Sequence, residues 1–109
     1  MGKREKRKII GTAIRPRLLV FRSHKHIYAQ IIDDLSSQTL LSCSTVEKEI
    51  KSQLKSTSTI EASNIVGKTL GERLLSKNIN SVVFDRNNKP FHGRIKAVAE
   101  GARYIGIKF

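Results

Sequence analysis

Apolar and polar residues alternate along the first half of the chain in a pattern that predicts three consecutive β-strands. Residues 17–22 (RLLVFR) form a continuous apolar run, which is typical of a buried strand. Residues 26–33 (HIYAQIID) alternate, so that Ile27 and every second residue after it share one face. Residues 39–45 (TLLSCST) follow a polar turn. Because the connections are short, the three strands are expected to form an antiparallel meander.

The next segment predicts a long amphipathic helix. Residues 46–57 are polar and favour a loop or a short helix. Ser58 and Glu61 have the spacing of a capping box, so the helix is expected to begin there and to run to about Lys77. Asn78 can adopt the left-handed conformation that closes a helix. The apolar stripe of the helix consists of Ala62, Ile65, Val66, Leu70 and Leu74.

The first long helix also has a strip of small residues. They recur every four positions along it: Ser63, Gly67 and Gly71. Glycine destabilises a helix interior by roughly 1 kcal/mol relative to alanine, so this strip predicts a close approach of the helix to the sheet.

The remaining residues predict a fourth strand and a last helix. Residues 81–85 (SVVFD) are expected to form a strand parallel to a sheet neighbour, because they follow a helix. A helix is predicted from Gly93 to a stop at Gly106.

These elements predict an α/β fold, a two-layer sandwich with a mixed sheet. The sheet would contain the three antiparallel meander strands and a fourth strand after the helix crossover, followed by a C-terminal helix. Residues 15–109 are expected to form a single domain. Residues 1–14 are expected to form a basic N-terminal arm, disordered or frayed until it meets a partner, because its charges repel one another.

Charge changes the picture from fold to function. The chain has 21 Lys and Arg residues against 9 Asp and Glu residues, a net charge of +12. Residues 1–30 have a net charge of +8, residues 31–85 of −1 and residues 86–109 of +5, which together give +12. Basic ends on a neutral body indicate contact surfaces for a polyanion, with nucleic acid favoured over an anionic membrane surface.

Several other functions are disfavoured. No apolar run is long enough to span a membrane, and the N-terminus lacks the apolar region of a secretory signal. The single cysteine, Cys43, favours a reducing compartment and is expected to be a buried, inert thiol. Residues 66–69 (VGKT) lack the first glycine of a P-loop and lie in the predicted helix. His24, His26, His92 and Cys43 do not have the spacing of a metal site, so no metal or other cofactor is expected.

Three carboxylates keep an enzymatic alternative open. Asp33, Asp34 and Asp85 lie at the ends of predicted strands, and the order of elements is similar to that of ribonuclease-H-like folds, which bind two metal ions on carboxylates. The first strand has no acidic residue where that chemistry needs one, and Asp33 and Asp34 lie at a turn. A metal-dependent nuclease is therefore disfavoured, and a generic basic nucleic-acid-binding protein is the other alternative.

The stretch at residues 85–95 (DRNNKPFHGRI) has the composition of a binding loop. Arg86 and Lys89 can pair with phosphates, Phe91 can pack or stack, and His92 to Arg94 open a helix whose free amides favour an anion. A second basic and aromatic cluster lies in the predicted hairpin: Arg22, Lys25, His26 and Tyr28. Arginines and aromatic rings suit structured RNA with exposed bases better than duplex DNA.

Four blocks of the sequence closely resemble one family, the bacterial-type large-subunit ribosomal proteins number eighteen. They are RPRLLVFRSHKHIYAQIIDD, TLLSCSTVEKEI, VGKTLGERLLSKNI and VVFDRNNKPFHGRIKAVAEGARYIGIKF, in collinear order over residues 15–109. The resemblance implies a non-catalytic protein of the central protuberance that binds 5S rRNA, helps attach it to 23S rRNA and meets neighbouring ribosomal proteins. It implies neither a membrane nor a small-molecule substrate.

The resemblance and the basic loops together predict a set of RNA-binding residues. The set is Lys3, Arg4, Lys6, Arg7, Lys8, Arg15, Arg17, Arg22, Ser23, Lys25, His26, Tyr28, Gln30, Arg86, Lys89, His92, Gly93 and Arg94. The family often has glycine and tyrosine in the last loop, where this chain has NNKPF at residues 87–91. The short arm and the Ile-, Lys-, Asn- and Ser-rich body are most similar to plastid-encoded members. A chloroplast ribosome is therefore favoured over a ribosome of the bacterial cytoplasm.

Overall fold

The predicted antiparallel meander is present and contributes three strands of the sheet. The computed structural model describes residues 9–85 and 89–109, and within them β1 (Arg17–Arg22), β2 (Ile27–Asp33) and β3 (Gln38–Ser44) follow one another. β2 pairs with β1 on one side and with β3 on the other, both antiparallel. β2 begins one residue later than the pattern predicts, because His26 closes the preceding turn by accepting a hydrogen bond from the amide of Ser23 (2.9 Å).

A fourth strand, β4 (Val83–Asp85), completes the sheet in the order β3-β2-β1-β4. It runs parallel to β1, as expected for a strand that follows a helix crossover. Residues 81 and 82 of the predicted strand lie outside it, although Ser81 forms an isolated parallel bridge with Lys108. The mixed sheet and its covering helices confirm the predicted α/β fold.

Three helices follow the meander: α1 (Lys48–Lys51), α2 (Ile60–Ser76) and α3 (Gly93–Ile105). The predicted capping box is wrong by one residue, because the hydroxyl of Thr59, not of Ser58, accepts a hydrogen bond from the amide of Ala62 (3.0 Å). Asn78 has the predicted positive φ of 61°, and Gly106 closes α3 with a φ of 114°.

The small-residue strip of α2 packs against α3 and not against the sheet, which corrects the sequence-based prediction. A Cβ atom added to Gly67 would lie 2.1 Å from the carbonyl oxygen of Val98, and one added to Gly71 would lie 2.9 Å from Ile105. On α3, the approach is reciprocal: a Cβ atom added to Gly101 would lie 2.4 Å from the carbonyl oxygen of Asn64. The two helices are therefore in backbone contact, which only glycine permits.

The core lies between the sheet and the pair of long helices. Apolar residues of one sheet face meet those of α2 and α3: Leu18, Val20, Ile27, Ala29, Ile31, Cys43, Val66, Leu70, Leu74, Ile95, Val98 and Ala102. The opposite sheet face has half-buried residues, including Tyr28, Gln30 and Ile32. Both long helices thus cover the same face of the sheet. Within the part of the chain that the structure describes, the other face is available for contacts with another molecule.

Candidate nucleic-acid interface

Two segments that the sequence identifies separately meet in the structure. The turn between β1 and β2 is closed by hydrogen bonds between Ser23 and His26, including one from the His26 amide to the Ser23 hydroxyl (3.1 Å). From the first turn of α3, Arg94 reaches across and donates from Nη2 to the carbonyl oxygen of Ser23 (3.1 Å). The β1–β2 turn and the start of α3 therefore form one continuous surface, although 71 positions separate the two residues.

The electrostatics of Arg94 are unfavourable in the unbound protein. Partial burial and the neighbouring charge of Arg22 both lower the pKa of the Arg94 guanidinium. Its Nη1 atom is buried and has no hydrogen-bond partner among the described residues. An anion placed beside this pair of arginines would relieve their repulsion.

An aromatic pair lies on the open sheet face beside the same turn. The ring of Tyr28 stacks on that of Phe21, with centroids 5.0 Å apart and planes 10° from parallel. His26 lies 6.3 Å from Tyr28 and its Nδ1 contacts the hydroxyl of Thr45 (3.0 Å), which also accepts from the Ile27 amide (3.1 Å). The two rings and the imidazole are therefore held in a fixed arrangement beside the β1–β2 turn.

Most of the remaining residues of the predicted loop set are exposed. Lys25, Lys89, His92 and Gly93 are exposed, and Gln30 is half-buried on the open sheet face. Gly93 has a φ of 61° with no atom within 4 Å of an added Cβ, so a ligand can approach its backbone closely. The carbonyl of Lys25 accepts a hydrogen bond from the Thr57 hydroxyl (2.7 Å), which ties the turn to the segment before α2.

Arg15 and Arg17 lie away from this surface, at the opposite end of β1. Arg17 donates from Nε and Nη2 to Asp34 and from Nη1 to Asp85, each at 3.0 Å. The hydrogen bond with Asp34 is the main cause that raises the pKa of Arg17, opposed by burial. Arg15 is exposed and donates from Nε to the carbonyl oxygen of Val82 (3.3 Å). Arg17 therefore has a structural role in joining three elements of the sheet end.

The same sheet end holds the described part of the predicted arm. Gly11 donates from its amide to Asp34 Oδ2 (2.7 Å), and its carbonyl accepts from the Asp34 amide (2.9 Å). A Cβ atom at position 11 would lie 2.2 Å from the amide nitrogen of Arg17. The predicted contacts Lys3, Arg4, Lys6, Arg7, Lys8 and Arg86 lie outside the described residues.

The carboxylates of the nuclease alternative do not form a metal site. Asp34 and Asp85 bind Arg17, and Asp33 is buried, where Oδ1 accepts from the amides of Leu35 (3.0 Å) and Ser36 (3.4 Å). Within residues 9–85 and 89–109, no group of three or more His, Cys, Asp or Glu residues could hold a metal ion. The structure gives the nuclease alternative no support.

Cys43 lies in the core, as the sequence predicts. It is 1% exposed, and its Sγ contacts the carbonyl oxygen of Val66 (3.6 Å). Burial raises the pKa of its thiol to about 12, with a smaller opposing effect of Arg73. No helix of the described residues combines the length and the apolar character that crossing a bilayer requires.

Sequence reasoning missed two contributors to this region, Phe21 and Thr45. Phe21 looks like a core residue in a continuous apolar run, but its pairing with Tyr28 places it on the open face. Thr45 is fully buried as a polar residue, because it satisfies both His26 and a backbone amide. The pairing of Phe21 with Tyr28 follows from the four-residue turn between the strands, so this contact could have been inferred.

Comparison with known proteins identifies one family. A model of the family described as "Ribosomal L18 of archaea, bacteria, mitoch. and chloroplast" matches residues 2–109. The large ribosomal subunit protein uL18 of Microcystis aeruginosa is 56% identical over 106 residues, covering 97% of this chain and 88% of that protein. The large ribosomal subunit protein uL18c of Guillardia theta is 55% identical over 102 residues, covering 94% and 95%. The uL18 protein of Dictyoglomus thermophilum is 54% identical over 106 residues, covering 97% and 87%.

Proposed function

The chain belongs to the family of ribosomal L18 proteins, and from that premise we propose that it binds 5S rRNA as a structural, non-catalytic constituent of the large ribosomal subunit. In this role it helps attach 5S rRNA to 23S rRNA and meets neighbouring ribosomal proteins. The resemblance of the sequence blocks at residues 15–109 supports the choice of 5S rRNA. A net charge of +12 supports a polyanionic partner.

One observation supports the location of the RNA-binding surface above all others. Arg94 joins the β1–β2 turn to the start of α3 and leaves one buried guanidinium nitrogen without a partner among the described residues. A phosphate of the RNA backbone placed beside Arg22 and Arg94 would neutralise the repulsion between their guanidinium groups. The unfavourable charge arrangement of the free protein then becomes favourable in the complex.

The side chains of this surface divide into two roles. Arg22, Lys25, Lys89 and Arg94 would pair with phosphates, which gives affinity without sequence preference. The Tyr28 ring and the imidazole of His26 would contact bases or sugars, because aromatic rings stack on unpaired bases of structured RNA. The basic arm, residues 1–14, would contact the phosphates of a second RNA segment.

A gel-shift competition tests this function. Labelled 5S rRNA is titrated with the protein at about 0.15 M salt with magnesium present and with excess tRNA as competitor. We expect a shifted band that survives the tRNA, with the RNA intact. A shift that tRNA abolishes would mean generic polyanion binding, and magnesium-dependent cleavage that Asp85→Asn abolishes would restore the nuclease alternative.

For the compartment, we propose a chloroplast ribosome, with a bacterial cytoplasmic ribosome as the alternative. The Ile-, Lys-, Asn- and Ser-rich body and the similarity to the uL18c protein of Guillardia theta support this choice. Large subunits purified from isolated plastids of the source cells should contain the chain, detected by peptide mass spectrometry. Its presence only in subunits from outside plastids would reject the proposal.

A further inference from the structure

Three aromatic rings and a guanidinium surround the end of the loop that joins β4 to α3. The ring of Phe84, in β4, lies 5.7 Å from that of Phe91 at the end of the loop, edge to face. It also lies 5.7 Å from the ring of Phe109. The guanidinium of Arg103 lies 4.4 Å from the Phe109 centroid and 5.9 Å from the Phe91 centroid. We call these four residues the aromatic clamp.

The guanidinium of Arg103 is engaged within the protein. Its Nη2 donates to the carbonyl oxygen of Phe109 (3.0 Å), while its flat face lies near two rings. A cation over an aromatic ring is stabilised by the ring quadrupole, and arginine is the residue that stacks best. Arg103 is exposed in the structure, yet its guanidinium has partners within the protein, the Phe109 carbonyl and the rings of Phe91 and Phe109.

Phe109 is held independently of the loop. Lys108, the residue before it, accepts a hydrogen bond from the Val82 amide (3.1 Å) and donates one to the Asn80 carbonyl (2.9 Å). These bonds attach the last segment beside β4, and the ring of Phe109 packs against the core. Phe109 therefore provides a fixed support, and Phe91 is the loop residue that rests on it through Phe84 and Arg103.

We propose that Arg103 and Phe109 are positioning residues for RNA binding: they hold Phe91, and with it residues 89–92, in the binding conformation without touching RNA. This inference rests on the proposed function, because the segment leads directly into His92 and Arg94. A loop that is already ordered avoids the entropy loss of ordering side chains when the complex forms.

Two conservative variants test the clamp in the full chain. Phe109→Leu keeps an apolar side chain in the core but removes the ring. Arg103→Lys keeps the charge but loses the flat face and the fork of donors. Tyr104→Leu is the matched control, since it removes a ring from the same helix that is 76% exposed and contacts Lys68 instead of the clamp.

Loop order and RNA affinity are measured on the same samples. The ¹⁵N heteronuclear NOE of the amides of Lys89, Phe91 and His92 in the free protein reports loop order. Affinity for 5S rRNA is measured at several salt concentrations. Both variants should lower the NOE and weaken binding by about threefold to tenfold with an unchanged salt slope, while the control behaves like the wild type.

The remaining outcomes overturn the inference in distinguishable ways. Weaker binding of Arg103→Lys with an undisturbed NOE would make Arg103 a direct RNA contact. A lower NOE with unchanged affinity would show that loop order does not serve binding. Failure of the wild-type chain to bind 5S rRNA would reject the proposed function, and the NOE of the free variants would still decide whether the clamp orders the loop.

Discussion

Single side chains connect distant segments of this protein, and Arg94 is the clearest example. Its Nη2 bonds to the β1–β2 turn, and Nη1 is buried with no partner among the described residues. Arg22 and burial disfavour its charge in the free protein. Such an arrangement adds little to folding stability, because the repulsion offsets the hydrogen bond, and it favours the binding of an anion.

Arg94→Ala should therefore weaken binding more than folding. We expect an affinity for 5S rRNA about tenfold lower and a salt slope smaller by about 0.7 to 0.9, the contribution of one phosphate contact. The free energy of unfolding should change by less than about 1 kcal/mol. Lys96→Ala removes an exposed charge two residues along α3 and serves as the control. Equal effects of the two substitutions would remove Arg94 from the contact surface.

Cys43 makes the stability of the folded chain depend on pH in the alkaline range. Burial raises the pKa of its thiol to about 12, so the folded chain keeps a proton that the unfolded chain releases above about pH 8.5. The stabilisation is complete below that pH and is lost as pH rises. The free energy of unfolding should fall by on the order of 1 kcal/mol between pH 8 and pH 9.5 because of this group.

The comparison of Cys43→Ala with the wild type isolates that contribution. Urea unfolding at pH 8 and pH 9.5 should show a smaller loss of stability for Cys43→Ala, since alanine has no proton to lose. Native Cys43 should also react slowly with a thiol reagent at pH 8, and urea should expose it. An equal pH dependence of the two proteins would show that other groups cause the loss.

Among the elements, α2 and α3 pack with their backbones in contact. Gly67 on α2 and Gly101 on α3 each approach the backbone of the other helix. Such packing positions the start of α3, and with it His92 to Arg94, relative to the rest of the domain. The packing of α2 against α3 therefore also determines the position of the α3 residues in the candidate RNA surface.

Gly67→Ala should be strongly destabilising. The added Cβ would lie 2.1 Å from the carbonyl oxygen of Val98, and backbone atoms cannot move aside as a flexible side chain can. We expect a loss of about 3 kcal/mol in denaturant unfolding. Glu72→Ala, an exposed substitution on the same helix, should change stability by less than about 0.5 kcal/mol. A Gly67→Ala protein as stable as the wild type would contradict the backbone contact.

The periodicity of the sequence is sufficient to predict the strands and helices but insufficient to predict which of them pack together. The alternation in β2 and the stripe of α2 predict strand, helix and buried face, because these signals are local. The small-residue strip of α2 predicts close packing but does not identify the packing partner. In the structure this partner is α3 instead of the sheet. Arg17 and Arg94 look equivalent as basic residues, and only tertiary contacts separate an ion-paired Arg17 from Arg94.

At the scale of the whole molecule, the positive charges are separated by the sheet. Arg22 and Arg94 lie at one end of β1, and Arg15 and Arg17 lie about 16 Å away at the other. Gly11 is held at that second end by Asp34. Gly11 therefore lies at the end of the sheet away from the β1–β2 turn. Two RNA segments could then be contacted at once, one from each end.

Removal of residues 1–8 tests whether the arm contributes phosphate contacts of its own. These residues hold five basic side chains and one acidic side chain. Each lost phosphate contact should reduce the slope of log affinity against log salt by about 0.7 to 0.9, so the slope should fall by up to about 4. The thermal midpoint should hardly change, because the described contacts of this segment with the sheet begin at Gly11.

A chain with residues 1–8 in scrambled order is the matched control, since it keeps the charge and loses the sequence. If the arm acts through charge alone, the scrambled chain should have the slope of the wild type, because counterion release depends on the number of neutralised phosphates. If the truncated chain also keeps that slope, the arm makes no phosphate contacts and the domain alone carries the affinity. A scrambled chain that binds like the truncated one would mean that individual side chains of the arm read a defined RNA shape.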